Sequence, residues 1–155
     1  VKAVLLRVGK GRCKWADAAT ADYTGRFFRH MGWEERRLKP EPDRGDLARV
    51  RTAEGQRLLA QVRDRDLLVV LDERGRDLDT SGFVELLRRA QRESRQRVVF
   101  AIGGPHGHGA EVRQRADVVL RLSSLVLNHE LARVILAEQL YRASTMLWGG
   151  GYHHV

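Results

Sequence analysis

Unbroken aliphatic runs alternate with one-sided apolar stripes along this chain. The runs at 4–8 (VLLRV), 67–72 (LLVVLD), 98–102 (VVFAI) and 118–122 (VVLRL) hold mostly β-branched and aliphatic side chains with little polar alternation. Such runs predict strands covered on both faces. A shorter stretch at 34–38 predicts one more strand. Between the runs the spacing changes: Trp15, Ala19, Tyr23 and Phe27 recur every four residues and predict one apolar face of a helix ending near Gly32. Asp46 predicts the cap of a second helix, with Leu47, Val50, Leu58 and Val62 inward and Arg49, Arg51 and Arg57 toward solvent. Asp79 or Thr80 caps a third, which carries Phe83, Leu86, Leu87 and Ala90, and 131–148 reads as a long closing helix.

Strands alternating with helices in this way predict an α/β fold. One domain spans 1–155, with a mostly parallel sheet and helices on both of its faces. The closing helix carries two apolar stripes on nearly opposite sides. Leu131, Val134, Ile135 and Tyr141 form one; Leu136, Leu140, Ala143 and Leu147 form the other. Both need cover. The sheet supplies one, and either a partner subunit or another element of the same chain supplies the second.

Composition narrows the setting. A chain of 155 residues can bury one core without staples, and its single cysteine, Cys13, excludes an intramolecular disulfide framework. No signal-peptide pattern is present and no apolar run approaches the roughly 18 residues of a membrane span, so a cytoplasmic protein with no membrane partner is expected. Val1 in place of Met points to an alternative start or a processed terminus. The net charge of +8 favours a polyanionic partner. It is unevenly placed: residues 1–97 hold 23 Lys and Arg against 16 Asp and Glu, a surplus of 7, whereas 98–155 hold 5 against 4. A surface for landing that polyanion is therefore expected in the first two thirds.

The chemistry concentrates in two glycine-rich segments, FAIGGPHGHG at 100–109 and LYRASTMLWGGGYHHV at 140–155. Gly103, Gly104, Gly107 and Gly109 follow a predicted strand, where glycines permit positive φ and close approach of backbone to a ligand. No Gly-Lys-Ser/Thr closes the loop and no G-x-G-x-x-G follows the first strand, so neither a Walker A nor a dinucleotide fingerprint is present. His106, His108, His153 and His154 do not make a metal site in this reading. Cys13 is distant in sequence, no H-E-x-x-H occurs, and histidines in glycine-rich loops are expected to be solvated. His30 reads as an exposed residue at a helix end and His129 as the start of the closing helix.

The order of these features resembles the SPOUT class of S-adenosylmethionine-dependent RNA methyltransferases. The resemblance is closest to the family that methylates N3 of a pseudouridine in bacterial large-subunit (23S) ribosomal RNA. It covers essentially the whole chain through VKAVLLRVGK, LLVVLDERG with Leu71 and Asp72, IGGP, LSSLVLNHELARVILAEQLYRA and Tyr152-His153. The resemblance implies a trefoil knot, with a cofactor-binding part over about 98–155. It also implies an obligate homodimer and a substrate presented by the assembled ribosome. S-adenosyl-L-methionine would be gripped largely through backbone at Leu71, Gly103, Gly104, Ser123, Ser124, Leu125, Val126, Leu127 and Asn128.

Methyl transfer to an imide nitrogen needs alignment first, recovering roughly 7–11 kcal/mol of barrier, and a base second, on the order of a hundred- to ten-thousand-fold. The resemblance makes His153 the base or orienting group and Tyr152 the residue that stacks on or bonds the target base. Arg142, one turn beyond Glu138, would be held by that carboxylate and aimed at phosphate or at the cofactor's carboxylate. The chain departs from the family pattern at three places. Gly149-Gly150-Gly151 stands for Asn-His-Pro, His154 for an Arg, and Asn128 for a commoner Pro. Two other readings therefore stay open: a knotted RNA- or ribosome-binding module that has lost transfer, and a SPOUT methyltransferase acting on another RNA.

Overall fold

The structure, a computed structural model, describes residues 1–152. Strand and helix alternate from end to end: β1 (Lys2–Val8), α1 (Lys14–Phe27), β2 (Gly32–Leu38), α2 (Leu47–Leu59), β3 (Leu67–Asp77), α3 (Thr80–Arg92), β4 (Arg97–Ile102), α4 (Ala110–Arg115), β5 (Val118–Arg121) and α5 (His129–Trp148). All strand pairings are parallel, in the order β2-β1-β4-β3-β5. The expected single α/β domain is what forms.

Successive side chains of a strand point to opposite faces, so each aliphatic run feeds two cores. Leu5, Val69 and Phe100 pack beneath α1, α3 and α5 with Phe27, Phe83 and Leu136. Val4, Val70 and Val99 face the other way, onto Leu58 of α2 and Val112 of α4. Continuous apolar sequence is thus the signature of a sheet buried on both sides.

Both expected acidic caps are made. The Asp46 side chain accepts from the Arg49 N–H at 3.1 Å, and Asp79, rather than Thr80, caps α3 by accepting from the Gly82 N–H at 2.8 Å. Each satisfies one of the unpaired donors at a helix start.

Several expectations are corrected. On α1 the buried positions are Ala16, Thr20, Thr24 and Phe27, while Trp15 is 52 % exposed. The helix lies against α5, and of the expected face Phe27 is fully buried and Tyr23 is partly covered, its ring 6.2 Å from that of Tyr141. Leu47 at the start of α2 is exposed; the inward face of the helix is Val50, Glu54, Gly55 and Leu58, and Val62, past its end, packs against the same core as expected. Strand β3 runs past Asp72 to Asp77, with a register irregularity between Leu71 and Arg76 where it pairs β5. Helix α4 was not foreseen, since six residues are too few to show a 3.6-residue period. His30 is partly buried, its ring stacked on Trp148 at 5.8 Å.

On α5, Leu136, Leu140 and Ala143 of one stripe are buried against the sheet, whereas Leu131 of the other remains 40 % exposed and Val134, Ile135 and Tyr141 are only partly covered. Among the described residues no helix is long and apolar enough to cross a membrane.

Candidate functional site

Strands β4, β3 and β5 are neighbours, so the segments leaving the carboxyl ends of β4 and β5 meet beside residues 71–74 of β3 at one edge of the sheet. Ligands of α/β sheets bind at that edge. Here these segments enclose an open cleft of about 1020 Å³, walled by residues 102–111 from the end of β4 onward, 71–74 of β3, and 121–123 and 125–129 from the end of β5 onward. That is the upper end of the size range of small-molecule sites, roughly 300–1,000 Å³.

Of the residues singled out in sequence, Leu71, Gly103, Gly104, Ser123, Leu125, Val126, Leu127 and Asn128 line the cleft. Ser124 does not. Leu125 and Val126 are 73 % and 81 % exposed and form an apolar lip at the mouth. The Ser123 hydroxyl accepts from the Leu125 N–H at 2.9 Å and shapes the turn. Asn128, standing where a Pro is commoner, caps α5, its side-chain oxygen accepting from the Leu131 N–H at 2.9 Å.

The glycines have separate reasons. A Cβ on Gly103 would lie 3.1 Å from the His108 ring, and one on Gly104 would lie 3.0 Å from Glu54 Oε1, so the loop seats directly on those side chains. Gly107 alone of the four adopts positive φ, at 76°. Gly109 instead precedes α4 in an extended conformation. The loop is also tied from behind, because Arg51 donates Nε to the His106 carbonyl at 2.9 Å. Arg51 is therefore not the solvent-facing arginine that the helix pattern suggested.

His108 corrects a second expectation. It is buried rather than solvated, and burial pushes its imidazole below the ordinary histidine value, with the Asp72 charge opposing. The ring is neutral at pH 7. Asp72 is held below the usual carboxylate range chiefly by Arg74, which donates Nε and Nη2 to it at 3.0 and 2.9 Å. Arg121 is likewise engaged by Asp77, at 2.8 and 2.9 Å. Among the described residues no three His, Cys, Asp or Glu side chains converge as a metal site would require.

Helix α5 starts at the cleft and is anchored there by buried charge. Arg133 donates to Asp17 at 2.6 Å and to Glu35 at 2.8 Å, and Arg7 donates to Glu130 at 3.0 Å. These contacts join α5 to α1, β2 and β1. Glu138 holds Arg142 at 2.6 Å, as the one-turn spacing anticipated, and also accepts from the Tyr152 hydroxyl at 3.1 Å. The Tyr152 ring lies 4.4 Å from that of Tyr141, with the Arg142 guanidinium 4.8 Å above its centre.

Neither Arg142 nor Tyr152 lines the cleft. At 1.5 Å per residue Arg142 stands about 15 Å along α5 from Ala132, the nearest residue of that helix to line it. His153 and His154 lie outside the described residues. Sequence reading brought out most of the cleft but missed Arg74, Arg113 and Arg121, since nothing in their spacing separates them from other surface arginines.

Comparison with known proteins agrees with this geometry. A family model described as "Predicted SPOUT methyltransferase" matches residues 1–153. The chain is 40 % identical over 154 residues to the ribosomal RNA large subunit methyltransferase H of Trichlorobacter lovleyi, covering 99 % of this chain and 100 % of that protein. It is 41 % identical over 155 residues to the protein of the same name from Chromobacterium violaceum, covering 99 % of each. For the Geobacter metallireducens protein of that name the identity is 39 % over 154 residues, again covering 99 % of each.

Proposed function

The chain belongs to the SPOUT methyltransferase family, and from that membership we propose that it transfers a methyl group from S-adenosyl-L-methionine to N3 of a pseudouridine in large-subunit ribosomal RNA. The observation that carries the proposal is the cleft at the ends of β4 and β5 beside residues 71–74 of β3, lined by eight of the nine residues expected to hold the cofactor. Its relatives' name, ribosomal RNA large subunit methyltransferase H, supports the substrate class.

The residues present fit the cofactor. The Gly103-Gly104 backbone lines the cleft, seated on the His108 and Glu54 side chains; Leu71, Leu125, Val126 and Leu127 offer apolar contact to an adenine ring; and the loop over 123–128 presents its backbone groups. When bound, S-adenosyl-L-methionine supplies an electrophilic methyl group. The chain's own residues do the rest. Tyr152 stacks on or bonds the target base, Arg142 steers phosphate, and His153 takes the N3 proton as the nitrogen lone pair is freed, its imidazole suited to this near neutral pH. The trefoil knot over about 98–155 belongs to the same reading.

This assignment needs two subunits. Within one chain Arg142 stands about 15 Å along α5 from Ala132, Tyr152 is tied to Glu138 on the same helix, and neither lines the cleft, so a homodimer in which the partner's tail reaches the cleft completes the site. The partly uncovered stripe of α5 from Leu131 to Tyr141 supports the pairing. The assembled ribosome is the substrate in this proposal and the cytoplasm its place.

Isothermal titration with S-adenosyl-L-methionine tests the cofactor step, comparing the protein with its Gly103→Trp variant. Saturable binding near one site per subunit, lost in the variant, is expected; binding that survives the tryptophan would overturn the cleft assignment. Mapping the methylated nucleotide in treated ribosomes tests the substrate. Transfer to any other position would replace the proposal with a methyltransferase of different RNA specificity, and cofactor binding without transfer would replace it with a binding module.

A further inference from the structure

We propose that Arg113 is a phosphate anchor inside the cleft, binding the backbone of the RNA strand that carries the target base; this rests on the RNA methyltransferase reading above. Arg113 sits in the last turn of α4 and lines the cleft. Its Nε is shut off from solvent and meets no hydrogen-bond partner, and among the described residues its guanidinium has neither a carboxylate nor a carbonyl to hold it.

The other cleft arginines are engaged. Arg74 is bidentate on Asp72, Arg121 is bidentate on Asp77, and Arg51 spends Nε on the His106 carbonyl. Two further acids line the cleft, Glu73 and Glu111, and both are exposed. Glu111 lies two residues before Arg113 on the same helix, a spacing that turns the side chains away from each other. Arg113 is thus the cleft arginine whose donors are uncommitted. A desolvated guanidinium donor left unpaired costs free energy that an incoming oxyanion recovers.

Two oxyanions come to this cleft, a phosphate of the RNA and the carboxylate of the cofactor. The planar guanidinium fork suits phosphate in a bidentate pair. The cofactor is the poorer partner, because its carboxylate already has its own ammonium and the sulfonium beside it makes the molecule cationic, which an unneutralised guanidinium repels. RNA brings one negative charge per nucleotide and no compensating cation. The assignment also places one docking cation in the nearly neutral last third of the chain, apart from the arginine surplus of the first two thirds.

The test pairs Arg113→Gln and Arg113→Lys, each assayed for binding to 70S ribosomes across a salt series and, separately, for binding to S-adenosyl-L-methionine by calorimetry. Arg113→Gln is expected to weaken ribosome binding about tenfold and to flatten the slope of log K against log salt by about 0.7–0.9, the contribution of one phosphate. Arg113→Lys, which keeps the charge and loses the fork, is expected to keep the slope and recover part of the affinity. Cofactor affinity should stay within about twofold in both. An unchanged salt slope in Arg113→Gln overturns the assignment, and so does a parallel loss of cofactor affinity, which would give Arg113 to the cofactor's carboxylate. Failure of the underlying reading looks different: the unaltered protein then binds neither probe.

Discussion

Tyr152 and Arg142 share one carboxylate oxygen. The Tyr152 hydroxyl donates to Glu138 Oε1 at 3.1 Å, and Arg142 reaches the same atom with Nη2 at 2.6 Å and Nε at 3.0 Å. Glu138 therefore sets the position of both residues proposed for substrate handling, although no part of it lines the cleft.

Glu138→Gln removes the charge while keeping the shape. Methyl transfer to ribosomes is expected to fall about ten- to a hundredfold as alignment is lost, with affinity for S-adenosyl-L-methionine unchanged. Single-turnover rates and calorimetry read the two quantities. A matching loss of cofactor affinity would contradict the separation of cluster and cleft. The phenol adds a second readout. Burial and then the Glu138 hydrogen bond push the Tyr152 hydroxyl above its ordinary value. A raised value means that the contact contributes while the phenol is protonated, below pH of about 10, and is lost as pH rises through the folded-state value. In Glu138→Gln the Tyr152 absorbance titration should move to lower pH.

The buried pair Asp66 and Arg97 joins the start of β3 to the start of β4. Arg97 donates Nε to Asp66 at 2.9 Å and Nη2 at 2.5 Å, and the Arg63 N–H adds a bond of 2.7 Å. Burial pushes the Asp66 carboxyl up, yet Arg97 and the Arg63 N–H outweigh it and leave the group below its usual range. Asp66→Asn should cost about 3–5 kcal/mol, because it strands a buried guanidinium. Urea denaturation at neutral pH measures this. A depressed carboxylate stabilises above its unfolded value, near pH 3.9, and loses that contribution as pH falls through the folded one. The variant should therefore show a shallower loss of stability in acid than the unaltered protein, and equal slopes would refute the pair's role.

Leu131 tests the proposed dimer. It is 40 % exposed at the start of α5, so replacing it leaves the core intact. Leu131→Glu is expected to shift sedimentation from dimer to monomer and to abolish transfer while the melting temperature changes by only a few degrees. A monomer that still methylates would show that one chain brings its tail to its own cleft.

Much of this architecture is local and can be read from neighbouring residues. The aliphatic runs specify doubly covered strands, Asp46 and Asp79 specify helix starts, and the spacing of Glu138 and Arg142 specifies an ion pair. The glycine loop after β4 marks the cleft by its place at a strand's carboxyl end, while its Gly103 and Gly104 lack Cβ atoms where His108 and Glu54 come close. What periodicity misjudged was the face of α1. Trp15, Ala19, Tyr23 and Phe27 keep helical spacing, yet only Phe27 is fully buried, and Ala16, Thr20 and Thr24 are buried beside it while Trp15 is exposed. Amphipathic spacing reports that a helix has a covered side and does not weigh how near the covering element lies.

By itself, then, the sequence determined the α/β alternation, the helix caps and the segments from which the cleft is built, since each depends on residues within one turn or one strand. Tertiary structure alone decided the strand order β2-β1-β4-β3-β5, which brings residues 71–74 of β3 together with the segments after β4 and β5. It also decided the burial of His108 beneath the glycine loop, the isolation of Arg113 among arginines already paired, and the distance between Tyr152 and the cleft. These depend on pairings across many tens of residues. Burial and charge neutralisation are properties of neighbours in space, and a lone arginine looks the same in sequence whether or not a carboxylate comes to meet it.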